Sequence, residues 1–451
     1  MKIKHLFSPG QRKYGVWPVI IGISLFSLIQ VLNAADTRST APPPLPVLTS
    51  QVPLEITVTG THPTLASLQQ DFDVFSWQSF IALNWPANAD GTPNTNLTIG
   101  QAPNNPVVWE SYRESRTIFL PGGATPAPWG QDSPLPDVCK NIDAAHLPPG
   151  TMRLTQVGKT ANVLDESGEP FKTGPLIDQN GQYARFAIMT NETMFNYILT
   201  NKIYSKDGQK AFNADANFPA SNAPTQQLGS IMIKTAWVKM GGKYDPAKFY
   251  TTYALVYNNP AEEPGVKPSC VLTQVGLVGF HIAHKTAGEP QWVWSTFEHV
   301  DNVPTMGQKP TLSAYNFFDA HCKACKVNEP PPRPWNPGTP YTKPTQVERV
   351  IAITPEAQQL NASYHQALAA VVPDSVWLNY QLVSTQWPTN AQSKVDPTGV
   401  PAPSFLANTT LETYIQGHVK QTSSSCMACH NNATTTTGNF SDFTYLLQRA
   451  Q

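Results

Sequence analysis

The chain has few charges of either sign, and this limits the partners that it can have. Only 14% of its 451 residues are charged, against roughly 25% in an average domain. There are 30 lysines and arginines against 31 aspartates and glutamates, which gives a formal net charge of −1. A chain so close to neutrality has no long-range attraction for nucleic acid or for an anionic membrane, so we expect no nucleic-acid partner.

Motifs that identify several common enzyme classes are also missing. The sequence has no dinucleotide-binding fingerprint, no phosphate-binding loop and no nucleophile elbow. These absences argue against the common nucleotide-dependent and serine-hydrolase chemistries, and they leave open whether the chain is an enzyme.

One long apolar run is present, and it lies at the N-terminus. Basic residues precede the uncharged stretch 16–32, and small residues follow it at 33–35. This order predicts that residues 1–35 are a secretory signal peptide, with an uncleaved N-terminal anchor as the alternative. Membrane contact is expected only in the second case. Either way the body is predicted to reach the periplasm, where disulfides are permitted.

Proline is abundant, with 43 residues, and it shapes the predicted organisation. Residues 36–60 include "APPPLPVLTSQVP" and are predicted to be an extended linker. Residues 61–405 are predicted to be a β-rich body with a few helices, and 406–451 a C-terminal segment built around a cysteine motif. We expect an α+β, β-rich fold: a single large irregular domain with long Pro-rich loops and a short helical C-terminal segment.

Local patterns predict the main elements of the body. Thr354 and Pro355 form a typical helix start, as N-cap and first helical residue. Apolar and aromatic periodicity and β-branched runs locate the other elements. The predicted helices cover 65–84, 191–204, 354–370 and 411–419. The predicted strands cover 231–237, 249–257, 275–285, 292–300 and 375–387, and the third and fourth of these form a hairpin.

The sequence "CMACH" near the C-terminus has the spacing of a covalent haem attachment site. Cys426 and Cys429 can each form a thioether with a haem vinyl group, and His430 is then placed on the iron as the proximal ligand. We therefore expect one haem c in the segment 406–451. Two alternatives stay open: a plain disulfide within the motif, and a zinc site that adds Cys322 and Cys325.

A second protein ligand of the iron has to come from earlier in the chain, because neither His nor Met follows His430. His281 has small neighbours on its own face of the predicted strand, and we expect it to be the distal ligand. His284 and His418 are the alternatives. On a strand, His281 and His284 point to opposite faces. An open distal position would favour ligand binding or peroxide chemistry over simple electron transfer.

The second cysteine pair, in "HCKACK", resembles the variant haem motif of the ammonia-forming nitrite reductases. The several Cys-x-x-Cys-His motifs of those enzymes are absent, so a second haem at Cys322 and Cys325 is not expected. Disulfides with Cys139 and Cys270 are expected instead. Four cysteines allow three connectivities, and of these we favour Cys139–Cys270 with Cys322–Cys325.

One further cluster of metal-ligating residue types lies on the predicted hairpin. His281, His284, Glu298 and His299 are of types that bind copper, iron or zinc. We do not expect all four to converge, because neighbouring positions on a strand face opposite ways.

Four stretches of the sequence together resemble a family of exported bacterial proteins that are labelled cytochrome c family. These stretches are "FDVFSWQSFIALNWP", "GFHIAHKT", "WVWSTFEHVDNVP" and the C-terminal "SSSCMACH" through "DFTYLL". The resemblance covers most of the chain after the signal. It implies haem attachment at Cys426 and Cys429 with His430 as proximal ligand, and it implies no substrate. Small cytochromes c are similar only at the five-residue motif, so their all-helical fold is not expected here.

Three functions follow from these observations. The first is electron transfer in the periplasm by a single-haem cytochrome with a redox partner protein. The second is a haem enzyme, peroxidase- or oxygenase-like, with a substrate pocket in the β-rich body. The third is a non-haem binding protein that disulfides stabilise.

Overall fold

The computed structural model describes residues 46–451 apart from 104, 132, 149, 156–172, 261–265, 333–341, 392–397 and 418–424. The predicted signal peptide and the first part of the linker lie outside the described residues. Residues 45–451 form one unit, and it includes the C-terminal segment. This unit is a single mixed α+β domain, β-rich and with loops, as expected. Within the described ranges, no helix has the length and apolar character needed to cross a membrane.

A nine-stranded sheet forms the centre of the described residues. Its strands are β1 Arg113–Glu114, β2 Met152–Thr155, β3 Arg185–Thr190, β4 Ile231–Lys239, β5 Thr251–Asn258, β6 Ser269–His284, β7 Val293–His299, β8 Tyr380–Asn390 and β9 Thr398–Ala402. The order β1-β3-β4-β6-β7-β8-β9 is antiparallel throughout, and β5 pairs with β6 and, in parallel, with β2. The 16-residue β6 is long enough to pair with β4 on one edge and with β5 and β7 in succession on the other.

The predicted hairpin is confirmed, because β6 and β7 pair antiparallel with His281 opposite Thr296. The predicted strands over 231–237 and 249–257 are confirmed as β4 and β5. The predicted strand over 375–387 begins later, at Tyr380. The preceding residues, Val376–Asn379, form a 3-10 turn that Ser375 caps by accepting a hydrogen bond from the Trp377 N–H at 3.3 Å.

The described helices are α1 Leu65–Leu83, α2 Glu192–Thr200, α3 Lys206–Phe212, α4 Pro355–Val371 and α5 Cys426–His430. The predicted helix over 65–84 is confirmed, and so is the helix that Thr354 caps. The helix predicted over 191–204 ends at Thr200. The helix predicted over 411–419 is wrong in its described part, where a 3-10 turn, Thr413–Ile415, takes its place.

The sheet separates two layers. On one face, Trp77 and Phe80 of α1 and Tyr364 of α4 pack with Phe280 and Phe297 in the main core. Because side chains alternate along a strand, the neighbouring positions point to the other face. On that other face Met232, Ala283 and Trp294 pack against the buried C-terminal residues Met427, Phe443, Leu446 and Leu447. The C-terminal segment is therefore a layer of the domain.

The cysteines outside the motif form two disulfides, Cys139–Cys270 and Cys322–Cys325. This is the favoured one of the three connectivities, and it is confirmed. The first bridge joins Cys139, the buried residue of the 3-10 turn Asp137–Cys139, to the start of β6. The second removes two of the four thiolates that the alternative zinc site needs, so that alternative is excluded.

Candidate functional site

The motif Cys426–His430 forms α5, a single short helix on the C-terminal layer. The Ser425 hydroxyl caps it by accepting a hydrogen bond from the Ala428 N–H at 3.3 Å. The helix places Cys426 and Cys429 one turn apart. Both thiols are free and partly exposed, whereas the other cysteines are paired. The plain disulfide within the motif is therefore absent in this structure.

Gln386 of β8 anchors the motif to the sheet. Its side chain is fully buried. Its Oε1 accepts hydrogen bonds from the Met427 N–H at 2.9 Å and from the Ser425 hydroxyl at 3.2 Å, and its Nε2 donates to the Pro403 carbonyl at 2.8 Å. The Met427 side chain is buried in the core of this face. Side-chain packing and a two-point hydrogen bond therefore fix the start of α5.

One hydrogen bond determines the orientation and tautomer of His430. Its Nδ1 lies 2.7 Å from the carbonyl oxygen of Phe443, so Nδ1 carries the proton and donates it. Nε2 is then the nitrogen with the free lone pair, which is the atom that can bind a metal. Burial lowers the pKa of His430 to about 4, although the Phe443 carbonyl opposes this shift. The imidazole is therefore neutral at pH 7, as a metal ligand must be.

Two aromatic rings confine the imidazole. The Trp294 ring of β7 lies with its centroid 4.6 Å from that of His430, and the Tyr445 ring meets it edge-on at 5.4 Å. The Tyr445 hydroxyl also donates to the Cys429 carbonyl at 2.9 Å. The ring of His430 is thus held by a hydrogen bond and by contacts from the sheet and from the C-terminus.

The two motif thiols are protonated at neutral pH. Burial raises the pKa of Cys426 well above its ordinary value and that of Cys429 to about 11, and the negative charge of Glu412 adds to both shifts. Thiol–disulfide exchange needs a thiolate, and a low thiol pKa is typical of proteins that catalyse it. The electrostatics therefore argue against a role as a dithiol oxidoreductase.

A half-buried polar cluster lies on the same face of the sheet as the motif. Lys234 of β4 and His281 of β6 are directly paired across the strands. The His281 Nε2 lies 3.0 Å from a carboxylate oxygen of Glu412, and the Lys234 Nζ lies 3.9 Å from the other. Burial alone would raise the pKa of Glu412, but His281, Lys234 and the Asn408 N–H lower it to about 2. Glu412 is therefore ionised.

The three candidates for a distal ligand have different surroundings. His281 is on the motif face, but its Nε2 is occupied by Glu412. His284 is on the opposite face, where its Nε2 pairs with the Ser221 hydroxyl at 2.8 Å and its ring stacks on Phe75. Complete burial lowers the pKa of His284 to about 3. His418 lies outside the described residues. Of the described candidates, His281 is the one that shares a face with the motif.

The alternative metal cluster on the hairpin does not form. Glu298 is paired with Arg349 at 2.7 Å and accepts hydrogen bonds from Thr409. The His299 Nε2 donates to the Lys248 carbonyl at 2.9 Å. In the part of the chain that the structure describes, no three His, Cys, Asp or Glu residues come together as a metal site.

Sequence reasoning missed three contributors to the site. Trp294 stands in a strand pattern that gives no sign of its contact with His430. Gln386 is one of many polar residues and precedes the motif by about forty positions. The carbonyl of Phe443 carries no sequence signal, because every residue has one. All three are brought to the motif by tertiary packing.

Comparisons of the chain with protein-family models, with curated proteins and with solved structures found no significant match. The resemblance to cytochrome c family proteins therefore stays a prediction.

Proposed function

We propose that this chain is an exported c-type cytochrome that binds one haem c covalently and transfers electrons in the periplasm. Cys426 and Cys429 provide the two thioether sulfurs, and His430 provides the proximal nitrogen. When bound, the haem iron supplies one-electron redox chemistry. The protein attaches the group, orients the axial ligand and sets the polarity around it.

The observation that carries the proposal is the hydrogen bond from His430 Nδ1 to the Phe443 carbonyl at 2.7 Å. It leaves the Nε2 lone pair of a neutral imidazole available to bind a metal. His430 directly follows Cys429, and the thiols of Cys426 and Cys429 are both free, with the spacing of haem attachment. Iron-ligating histidines commonly donate their other ring N–H to a carbonyl or carboxylate, which fixes the tautomer and raises the basicity of the ligand.

One further observation favours an electron carrier. The motif is partly exposed at Cys426, Ala428 and Cys429, so a redox partner protein can approach it.

The cluster of Lys234, His281 and Glu412 favours the second candidate function, a peroxidase- or oxygenase-like haem enzyme. A half-buried imidazole paired with a carboxylate, and next to a lysine, can exchange protons with a bound reactant. The two functions make different demands on the iron. A carrier keeps both axial positions filled, whereas an enzyme keeps one position accessible.

The test is to express the full chain with its N-terminal segment in a bacterium that has haem-attachment machinery. Intact mass and a pyridine haemochrome spectrum give the number of haems and of thioether bonds. We expect one haem per chain in the wild type and none in the double variant Cys426→Ala/Cys429→Ala. The matched control is Cys322→Ala/Cys325→Ala, which removes the other Cys-x-x-Cys pair and should keep one haem.

Wild-type protein without added haem mass on its C-terminal peptide would falsify the proposal and favour a non-haem binding protein. Two haems in the wild type, or loss of haem in the control, would contradict the assignment of a single site. Carbon monoxide then separates the two haem functions. The carrier is expected to have a low-spin iron that does not bind carbon monoxide. The enzyme is expected to have a high-spin iron that binds it.

A further inference from the structure

We propose that Asp442 and Lys285 are positioning residues for the proximal ligand: together they hold the turn that aims the Phe443 carbonyl at His430. The consequence for redox chemistry rests on the proposed function, whereas the effect on the imidazole does not. The two can therefore be tested separately.

The turn has an uncommon backbone. Asp442 and Phe443 have φ angles of 52° and 64°, in the left-handed region. Asp is among the residues that tolerate this region, but a bulky residue such as Phe is rarely found there. Strained residues of this kind persist only where the surroundings hold them, and they cluster at functional sites. Here the second of the two supplies the carbonyl that accepts the His430 N–H.

A buried network holds this turn through the Asp442 carboxylate. One of its oxygens accepts a hydrogen bond from the Lys285 Nζ at 2.5 Å and from the Phe218 N–H at 2.7 Å, and the other lies 3.5 Å from the Trp292 Nε1. The side chains of Lys285 and Asp442 are 3% and 2% exposed. Lys285 directly follows β6, so the network ties the turn to the end of the central strand.

A second contact completes the turn. The Ser441 hydroxyl donates to the Thr444 carbonyl at 2.6 Å, and the Phe443 side chain is buried in the core of this face. The contacts of Asp442, of the Phe443 side chain and of Ser441 with Thr444 thus hold the backbone before and after Phe443. The direction of the Phe443 carbonyl, which belongs to the peptide between Phe443 and Thr444, follows from that backbone.

A purely structural role is the simpler explanation of a buried ion pair. Such a pair adds little net stability over well-packed apolar residues, because both charges lose their hydration on burial. What the pair adds here is geometry: it holds a backbone conformation that apolar packing alone does not select. That geometry places the Phe443 carbonyl 2.7 Å from the His430 Nδ1.

The hydrogen bond also has an electronic effect on a bound metal. An imidazole that donates its Nδ1–H to a fixed acceptor is a more basic ligand. A more basic axial ligand favours the oxidised iron and so lowers its reduction potential. Loosening the turn should therefore raise the potential.

The experiment compares three variants with the wild type. Asp442→Asn removes the carboxylate charge. The double variant Asp442→Asn/Lys285→Met leaves no unpaired buried charge, so it keeps the test available if the single variant fails to fold. The control Glu329→Gln makes the same change in net charge within an exposed ion pair with Lys326.

Two readouts are used. In haem-loaded protein, the reduction potential reports the basicity of His430. In the full chain made without haem-attachment machinery, nitrogen-15 NMR reports which ring nitrogen of His430 carries the proton. We expect the wild type and Glu329→Gln to show the Nδ1–H tautomer. The Asp442 variants should show a mixture of tautomers and a higher reduction potential.

Folded Asp442 variants with the wild-type tautomer and the wild-type potential would overturn the inference. A chain that never acquires haem would overturn the proposed function, and the tautomer of His430 would still test the positioning role. A chain that acquires haem but shows no change in these variants would leave the proposed function standing and refute the positioning role.

Discussion

Gln386→Leu should destabilise the domain and release the start of α5, although Gln386 lies on a strand far from the motif in sequence. The substitution keeps the approximate size of the side chain and removes its polar atoms. The buried Met427 N–H loses its partner at 2.9 Å, and the Ser425 hydroxyl loses its acceptor at 3.2 Å. A buried polar group left without a partner costs about 1–3 kcal/mol. Ser425 still accepts from Ala428, so we take the lower part of the range for it, and expect a total loss of about 2–4 kcal/mol.

The assay is urea unfolding at neutral pH, with the free energy of unfolding extrapolated to water. The matched control is Gln101→Leu. Gln101 also accepts a hydrogen bond from a backbone N–H, that of Thr98 at 2.9 Å, but at an exposed position where water can replace it. We expect the control to change stability by about 0.5 kcal/mol or less. Equal losses in the two variants would refute the view that Gln386 holds the motif on the sheet.

Two other predictions concern buried charges and titrating groups. Burial lowers the pKa of His284 to about 3 in the folded chain, so below about pH 6.5 this residue binds a proton in the unfolded chain and not in the folded chain. The contribution of His284 to the free energy of unfolding should therefore be fully present above that pH and fall on acidification. Between pH 7 and pH 5, urea unfolding should show a decrease in the free energy of unfolding that is about 2 kcal/mol larger in the wild type than in His284→Gln; equal decreases would contradict this. Arg349→Met leaves the Glu298 carboxylate buried and unpaired, which should cost about 3–5 kcal/mol. The double variant Arg349→Met/Glu298→Gln should recover most of that loss in the same assay, and a double variant as unstable as the single one would count against the pairing.

The elements that the sequence predicted well are those with strong local signals. Thr354 and Pro355 cap α4 because their preferences act within one turn of the chain. The β6–β7 hairpin follows from alternating apolar residues, and that alternation also separated His281 from His284 correctly. The prediction of a helix over 411–419 failed in its described part, where Thr413–Ile415 is a 3-10 turn. Local periodicity carries no information on tertiary contacts such as that of the Glu412 carboxylate with His281 of the sheet. The end of the stretch lies outside the described residues.

The chemistry that the C-terminus can offer is visible in the sequence alone: two thiols and an imidazole at the spacing of haem attachment. Covalent bonds fix the spacing of residues along the chain, so it can be read without knowledge of the fold. The orientation of the imidazole, in contrast, depends on tertiary packing, because its hydrogen-bond partner is the backbone carbonyl of Phe443 and its neighbour Trp294 comes from a distant strand. Every residue has a backbone carbonyl, so the sequence does not mark this one, and a contact between segments distant in sequence depends on the packing of the whole sheet.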